Sequence, residues 1–223
     1  MGPVVCRGWS WLLGTAVFSH VRWHRCPKMQ RKTFLLSILI ITFGLCAAEG
    51  ETDQERIKKS EDLYRKALNV VQTTSNLRLF KISSSINKTV AACLVTKFLE
   101  KETRGAIRML YRKDTPSQKT KIYVALHYST VLPIRPSLQA HPIRGQLPPY
   151  WNENLIIKHA EIDDCIILES TDLNGDLSCL LWALQKNNKC MKIFDKMCTG
   201  EALVANMKTC QWTKQKKARK ADN

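Results

Sequence analysis

The chain lacks the short patterns on which many enzymes are built. It has no H-E-x-x-H, no P-loop, no nucleophile elbow and no C-x-x-C. Those absences exclude a zinc-protease helix, a phosphate cradle, a serine-hydrolase turn and a dithiol redox pair. After residue 48 the histidines are His127, His141 and His159, widely spaced. His141 and His159 with Asp163 match no zinc-ligand pattern. No catalysis, cofactor or metal is expected. Apolar runs are short as well. A spanning helix needs about 20 apolar residues, and the run at 34–43 falls well below that. The chain is therefore not expected to be embedded in a membrane. Acid is scarce: 19 Asp and Glu face 35 Lys and Arg, a net charge of +16.

Residues 31–48 read R-K-T-F-L-L-S-I-L-I-I-T-F-G-L-C-A-A. A basic start, an apolar run and small residues at Cys46 and Ala48 make a secretory signal peptide. Met29 stands just before the basic pair and is an alternative start. The leader is thus 1–48, the folded domain 49–213, and the basic tail 214–223. Much of the charge lies at the ends, in six leader bases without an acid and five tail bases with one acid. A basic secreted surface attracts heparan-type polyanions or anionic membranes, and it also serves plain solubility. Export argues against a nucleic-acid partner. Asn87-Lys88-Thr89 is a glycosylation sequon, placing Asn87 on a surface loop.

Past the leader six cysteines remain: Cys93, Cys165, Cys179, Cys190, Cys198 and Cys210. An even count behind a signal peptide predicts three disulfides in an oxidising compartment, and spacing alone leaves the connectivity open. The stretch 161–210 holds five of the six. Residues 162–168 and 177–184 are short apolar runs parted by Asn174-Gly175-Asp176, the mark of two adjacent strands. Residues 188–198 have helical spacing, with Cys190, Phe194 and Cys198 on one face. The simplest reading is a helix stapled twice to the outside of a sheet.

Earlier in the chain, an amphipathic helix is predicted from about Asp53 to the Thr73-Thr74-Ser75-Asn76 cluster. Strands follow at 77–82, 89–100, 106–112 and 121–128, then again at 155–159. Period-2 alternation puts Ile107, Met109 and Tyr111 on the buried face of the third strand, with Arg108 and Arg112 opposite. Residues 131–149 carry five prolines, which predicts a loop, with room for one edge strand. It serves either as a flap at a cavity mouth or as a connector. Seven or eight short antiparallel strands between two helices point to an up-and-down barrel.

On D-D-C-I-I-L (163–168), C-L-L-W (179–182), C-x₃-F-x₃-C (190–198) and the closing Thr209-Cys210, the chain resembles the tick salivary lipocalins, which include histamine-binding proteins. The resemblance spans about 53–210, and its specific part is the last 50 residues or so. It implies an eight-stranded antiparallel lipocalin barrel with a ligand cavity and both helices outside. It also implies the bonds Cys93–Cys210 and Cys165–Cys190, and with them Cys179–Cys198.

With Cys93, Cys165 and Cys179 facing out, their neighbours face in. The inward set is then Ala92, Leu94, Thr96, Phe98, Ile166, Leu168, Leu180, Trp182 and Leu184. Phe80, Ile82, Ile107, Met109, Tyr111, Ile122, Val124, Leu126 and Tyr128 are added by alternation. Phe80, Phe98, Met109, Tyr111, Tyr128, Ile166, Leu180 and Trp182 are the candidate ligand-binding residues. Histamine binders of the resembled family carry acids at the positions of Leu180 and Ile166, which are aliphatic here. A buried amine needs a carboxylate, so a lipid or eicosanoid fits this lining better. Its carboxylate would meet Arg108, Arg112 or Lys121 at the rim, while Glu161, Asp163 and Asp164 could hold an amine at the mouth. The plain alternative is a core filled by its own side chains. The function expected is a secreted, monomeric carrier that sequesters a host amine or lipid mediator and so evades host defence. The alternative is a scaffold acting on host proteins of complement or haemostasis through its basic surface.

Overall fold

A computed structural model describes residues 52–128, 135–147, 151, 154–171 and 177–214. The leader with both candidate starts, and the tail beyond Lys214, lie outside the described residues, as does part of the proline-rich stretch. Helix α1 spans Asp53–Gln72. Thr52 opens it with a capping box: the Thr52 hydroxyl accepts from the Glu55 amide, and the Glu55 carboxylate accepts from the Thr52 amide. The buried stripe Ser60, Ala67, Val70 and Val71 faces the sheet.

Ten strands follow: β1 (Leu77–Ser83), β2 (Leu94–Glu102), β3 (Gly105–Arg112), β4 (Lys119–His127), β5 (Ser137–Arg144), β6 (Leu155–Glu161), β7 (Cys165–Thr171), β8 (Leu177–Ala183), β9 (Ala202–Asn206) and β10 (Gln211–Lys214). Helix α2 (Asn188–Met197) lies between β8 and β9. All registered pairings are antiparallel. Strands β1 to β8 pair in chain order, and β8 returns to β1, closing a ring of eight. No helix among the described residues is long and apolar enough to cross a membrane.

The ring is uneven at two joints. Strand β1 pairs with β2 only at Leu77 and Arg78; beyond that β9 takes the same edge, from Lys81↔Val204 to Ser83↔Ala202. The hairpin β9–β10 therefore extends the sheet outside the ring. Strands β5 and β6 are joined at only Ser137↔Ile156 and Leu138↔Leu155.

Several boundaries and phases differ from the sequence reading. The second strand starts at Leu94, not at residue 89. A 3₁₀ turn at Ser84–Ile86 and the bonds from the Thr89 and Val90 amides to the Ile86 carbonyl hold that stretch as a turn, and Cys93 has φ 59. The proline-rich region contains a full strand, β5. Pro142 is accommodated where β5 has no registered partner on its β6 side. A bulge between Leu79 and Lys81 shifts the phase of β1. Leu79 and Ile82 both join the interior cluster, and Phe80 turns outward toward α2. Strand β3 has the opposite phase to that expected: Ala106, Arg108 and Leu110 are buried, and Ile107, Met109 and Tyr111 are half-exposed.

Two apolar clusters result. The larger fills the ring and includes Leu79, Leu94, Leu110, Val124, Leu126, Ile166, Leu168, Leu180 and Trp182. The second lies between the outer face of β7–β8 and α2, built from Phe80, Ile167, Leu181, Met191 and Phe194 with four cysteines. Cys165 is bonded to Cys190 and Cys179 to Cys198, while Cys93 is bonded to Cys210. This is the pairing implied by the resemblance. Such bonds persist in oxidising compartments. Buried Lys81 adds a polar tie: its Nζ lies 2.5 Å from Asp195 Oδ1 and 5.1 Å from the centre of the Phe194 ring.

Candidate ligand-binding site

Inside the ring lies a void lined by Val71, Leu77, Thr96, Arg108, Leu110, Ile122, Val124, Leu138, Ala140, Leu147, Trp151, Ile166, Leu168 and Trp182. It leaves about 50 Å³ of room for the centre of a water molecule, so side chains fill most of the interior. Helix α1 supplies Val71 from one end. Leu147 and Trp151, from the connection between β5 and β6, complete the wall where those strands barely pair. Trp151 meets Trp182 edge to face, with ring centres 5.6 Å apart. No carboxylate is among the lining residues.

The lining has two polar members, Thr96 and the one charged residue, Arg108. Its side chain is 1% exposed, and its donors are spent on protein oxygens. Nε donates to Thr96 Oγ1 at 3.0 Å. Nη1 donates to the carbonyls of Val71 at 2.8 Å and Thr73 at 2.9 Å, and Nη2 to those of Ser75 at 2.7 Å and Thr96 at 3.1 Å. Val71, Thr73 and Ser75 belong to the last turn of α1 and the residues after it, where helix carbonyls have no internal partner. A guanidinium there also opposes the negative end of the helix dipole. The Phe98 ring lies 5.8 Å from the Arg108 Cζ atom. Burial lowers the Arg108 pKa to about 10, and the group remains a cation at neutral pH.

Of the eight candidate residues, the structure brings Ile166 and Trp182 to the void. Leu180 is buried in the same cluster without lining the void, and Phe98 packs at its edge. Phe80 faces α2 because the bulge in β1 turns it outward. Met109 and Tyr111 lie on the outer face because Arg108 takes the inner one. Tyr128 lies past the end of β4, where its hydroxyl donates to the Ile57 carbonyl at 3.4 Å and its ring meets Tyr64 at 5.7 Å. It seals α1 to the ring and does not line the void.

Of the charged groups expected at the rim, Arg108, Arg112, Glu161 and Asp164 are otherwise engaged, while Lys121 lies half-exposed on the outer face of β4. Arg112 forms two bonds to Asp114. Glu161 receives Lys189 at 3.2 Å, and Asp164 binds Asn187 at the start of α2. The Asp163 amide donates to Asn69 Oδ1 at 3.2 Å, which ties the β6–β7 turn to α1. Among the described residues, the one group with metal-ligand proximity is Asp164, Cys165 and Cys190, and its two sulfurs are consumed by their mutual bond. Asn87 is exposed in a turn, as the sequon requires.

Sequence reasoning missed Val71, Leu77, Leu110, Leu138, Ala140, Leu147 and Trp151, and it placed Arg108 at the rim instead of inside. Leu138 and Ala140 alternate, but they stand among prolines. For Arg108 the sequence holds no signal, because an arginine in an alternating strand ordinarily marks the solvent face.

No family model matches the chain, and no curated protein matches it. Among solved structures it is similar to Japanin from Rhipicephalus appendiculatus bound to cholesterol, with TM-score 0.44 and 18% identity over 61% of this chain and 94% of that one. It is also similar to apocrustacyanin C2, with TM-score 0.44 and 10% identity over 68% and 84%. Lobster apocrustacyanin A1 gives TM-score 0.42 and 8% identity over 70% and 86%. Likenesses this weak carry no argument about the chain. Its class is set by its own geometry: an antiparallel ring of eight strands, two flanking helices and three disulfides.

Proposed function

We propose that the protein is a secreted lipocalin-type carrier that takes one small, mainly apolar molecule into the ring. The observation that supports this best is the lining: aliphatic and indole groups around a void, with Thr96 and Arg108 as its polar members. A cationic amine would find no carboxylate there and would face the Arg108 charge, which is costly in a low-dielectric site. A lipid mediator avoids both penalties. Ligand pockets usually measure roughly 300–1,000 Å³, so uptake requires side chains to move. Leu147 and Trp151 can move without breaking registered pairs of the ring, since they lie outside the strands. The chemistry is binding, and no catalytic step is assigned. Sequestering a host mediator, and a glycan on Asn87, belong to the same proposal.

Native mass spectrometry of the secreted chain tests the reading. One apolar molecule per chain is expected, and added histamine or serotonin should leave it in place. A chain that takes up an amine one-to-one, and no lipid, would overturn it.

A further inference from the structure

The reversed phase of β3 leaves a particular grid on the outside of β2–β5. In register across the strands, Lys97 faces Met109, Met109 faces Lys121, and Lys121 faces Arg144. On one side of this row lies Tyr111↔Lys119, and on the other Ile107↔Tyr123↔His141. Tyr123 and His141 stack with ring centres 6.3 Å apart. Lys97, Lys119 and Arg144 are exposed and Lys121 is half-exposed.

Two features separate this face from ordinary surface charge. First, like charges directly opposite one another destabilise a sheet, yet Lys121 and Arg144 are direct partners. Second, the four cations form none of the ion pairs found among the described residues. On α1, by contrast, Asp62 pairs with both Arg65 and Lys66. The acid bordering the grid is Glu100, opposite Ile107.

We propose that this face docks a linear sulfated polysaccharide. At about 4.8 Å per strand, Lys97, Lys121 and Arg144 line a track of about 14 Å across the sheet, suited to successive anionic groups on one chain. The half-buried Tyr111, Met109 and Tyr123 give that track a flat apolar floor. A membrane fits less well. Leu99 and Ile143, exposed apolar residues of β2 and β5, are the extra residues of two bulges. They stand three strands apart and form no single inserting patch. The inference is independent of what occupies the ring.

Heparin is the probe. The full secreted chain should bind it, and Lys97→Gln/Lys121→Gln/Arg144→Gln should lower affinity about tenfold or more at ~0.15 M salt. Removing equal charge by Lys192→Gln/Lys196→Gln/Lys208→Gln should cost much less. Heparin should also shield Lys97 and Lys121, but not Lys192 and Lys196, from acetylation of the unaltered protein, read by peptide mass spectrometry. Equal losses from the two triple variants would overturn the proposal, as would binding lost with residues 215–223 alone. Binding to phosphatidylserine vesicles without binding to heparin would overturn it too.

Discussion

Arg108 shows how one side chain can set the phase of a strand. Alternation in β3 allows two faces, and the apolar content of Ile107, Met109 and Tyr111 favours the wrong one. What decides is the group of carbonyls at the end of α1, which a five-donor guanidinium can satisfy and an aliphatic chain cannot. Arg108→Leu should therefore destabilise the fold by about 3–5 kcal/mol, since several buried acceptors lose their donor. Arg108→Lys should recover only part of that, because an ammonium lacks the planar fork. Chemical denaturation of the two variants checks both. His159 gives a pH signature. Burial is the main influence and lowers its pKa, partly offset by the Glu161 charge. The unfolded histidine takes up a proton near its ordinary 6.5, whereas the folded one resists until lower pH. Its contribution to stability is then complete above that value and lost as pH falls through the folded pKa. A melting series across this window should flatten in His159→Asn, and an unchanged slope would remove His159 as the cause.

At the level of elements, the legible parts were those with a strong local code. The charged amphipathic run and the polar cluster after it gave the bounds of α1, and the Cys190, Phe194 and Cys198 face gave the docking side of α2. Strand β4 followed from alternation, and β7 and β8 from two short apolar runs parted by a turn signal. Bulges escaped, because one extra residue in β1 reverses Phe80 without altering composition. The hairpin β9–β10 also escaped, although Asn206 carried a usable turn signal: its side chain accepts from the Lys208 and Thr209 amides at 3.0 and 3.3 Å. This hairpin is held by the Cys93–Cys210 bond, by the Trp212 indole donating to the Val90 carbonyl at 2.9 Å, and by the upper half of β1. Both half-cystines have positive φ, 59 and 51. The bond closes a separation of 117 residues, for which the chain-entropy model gives about 4–5 kcal/mol. Cys93→Ser/Cys210→Ser should lower stability by about 2–5 kcal/mol. In hydrogen exchange, β9 and β10 should lose protection before the ring does. Uniform loss across β1–β8 would show instead that the hairpin is integral to the ring.

At the scale of the whole molecule, the two proposals rest on two surfaces. The interior is apolar with one satisfied cation, and the outer face of β2–β5 carries four cations that form none of the ion pairs among the described residues. The inversion in β3 puts Arg108 inside and adds Met109 and Tyr111 to the outer face, between cations that β2, β4 and β5 supply. A small void of this kind is either the seed of a binding site or the residue of a filled core. In residues 49–223 carrying Trp212→Phe, Trp151 and Trp182 are the remaining indoles, and both line the void. Titration with a fluorescent fatty acid should quench their emission saturably at one equivalent per chain, with the same end point as in the unaltered protein. Quenching that never saturates, or that disappears with Trp212, would place the ligand outside the ring and contradict the account.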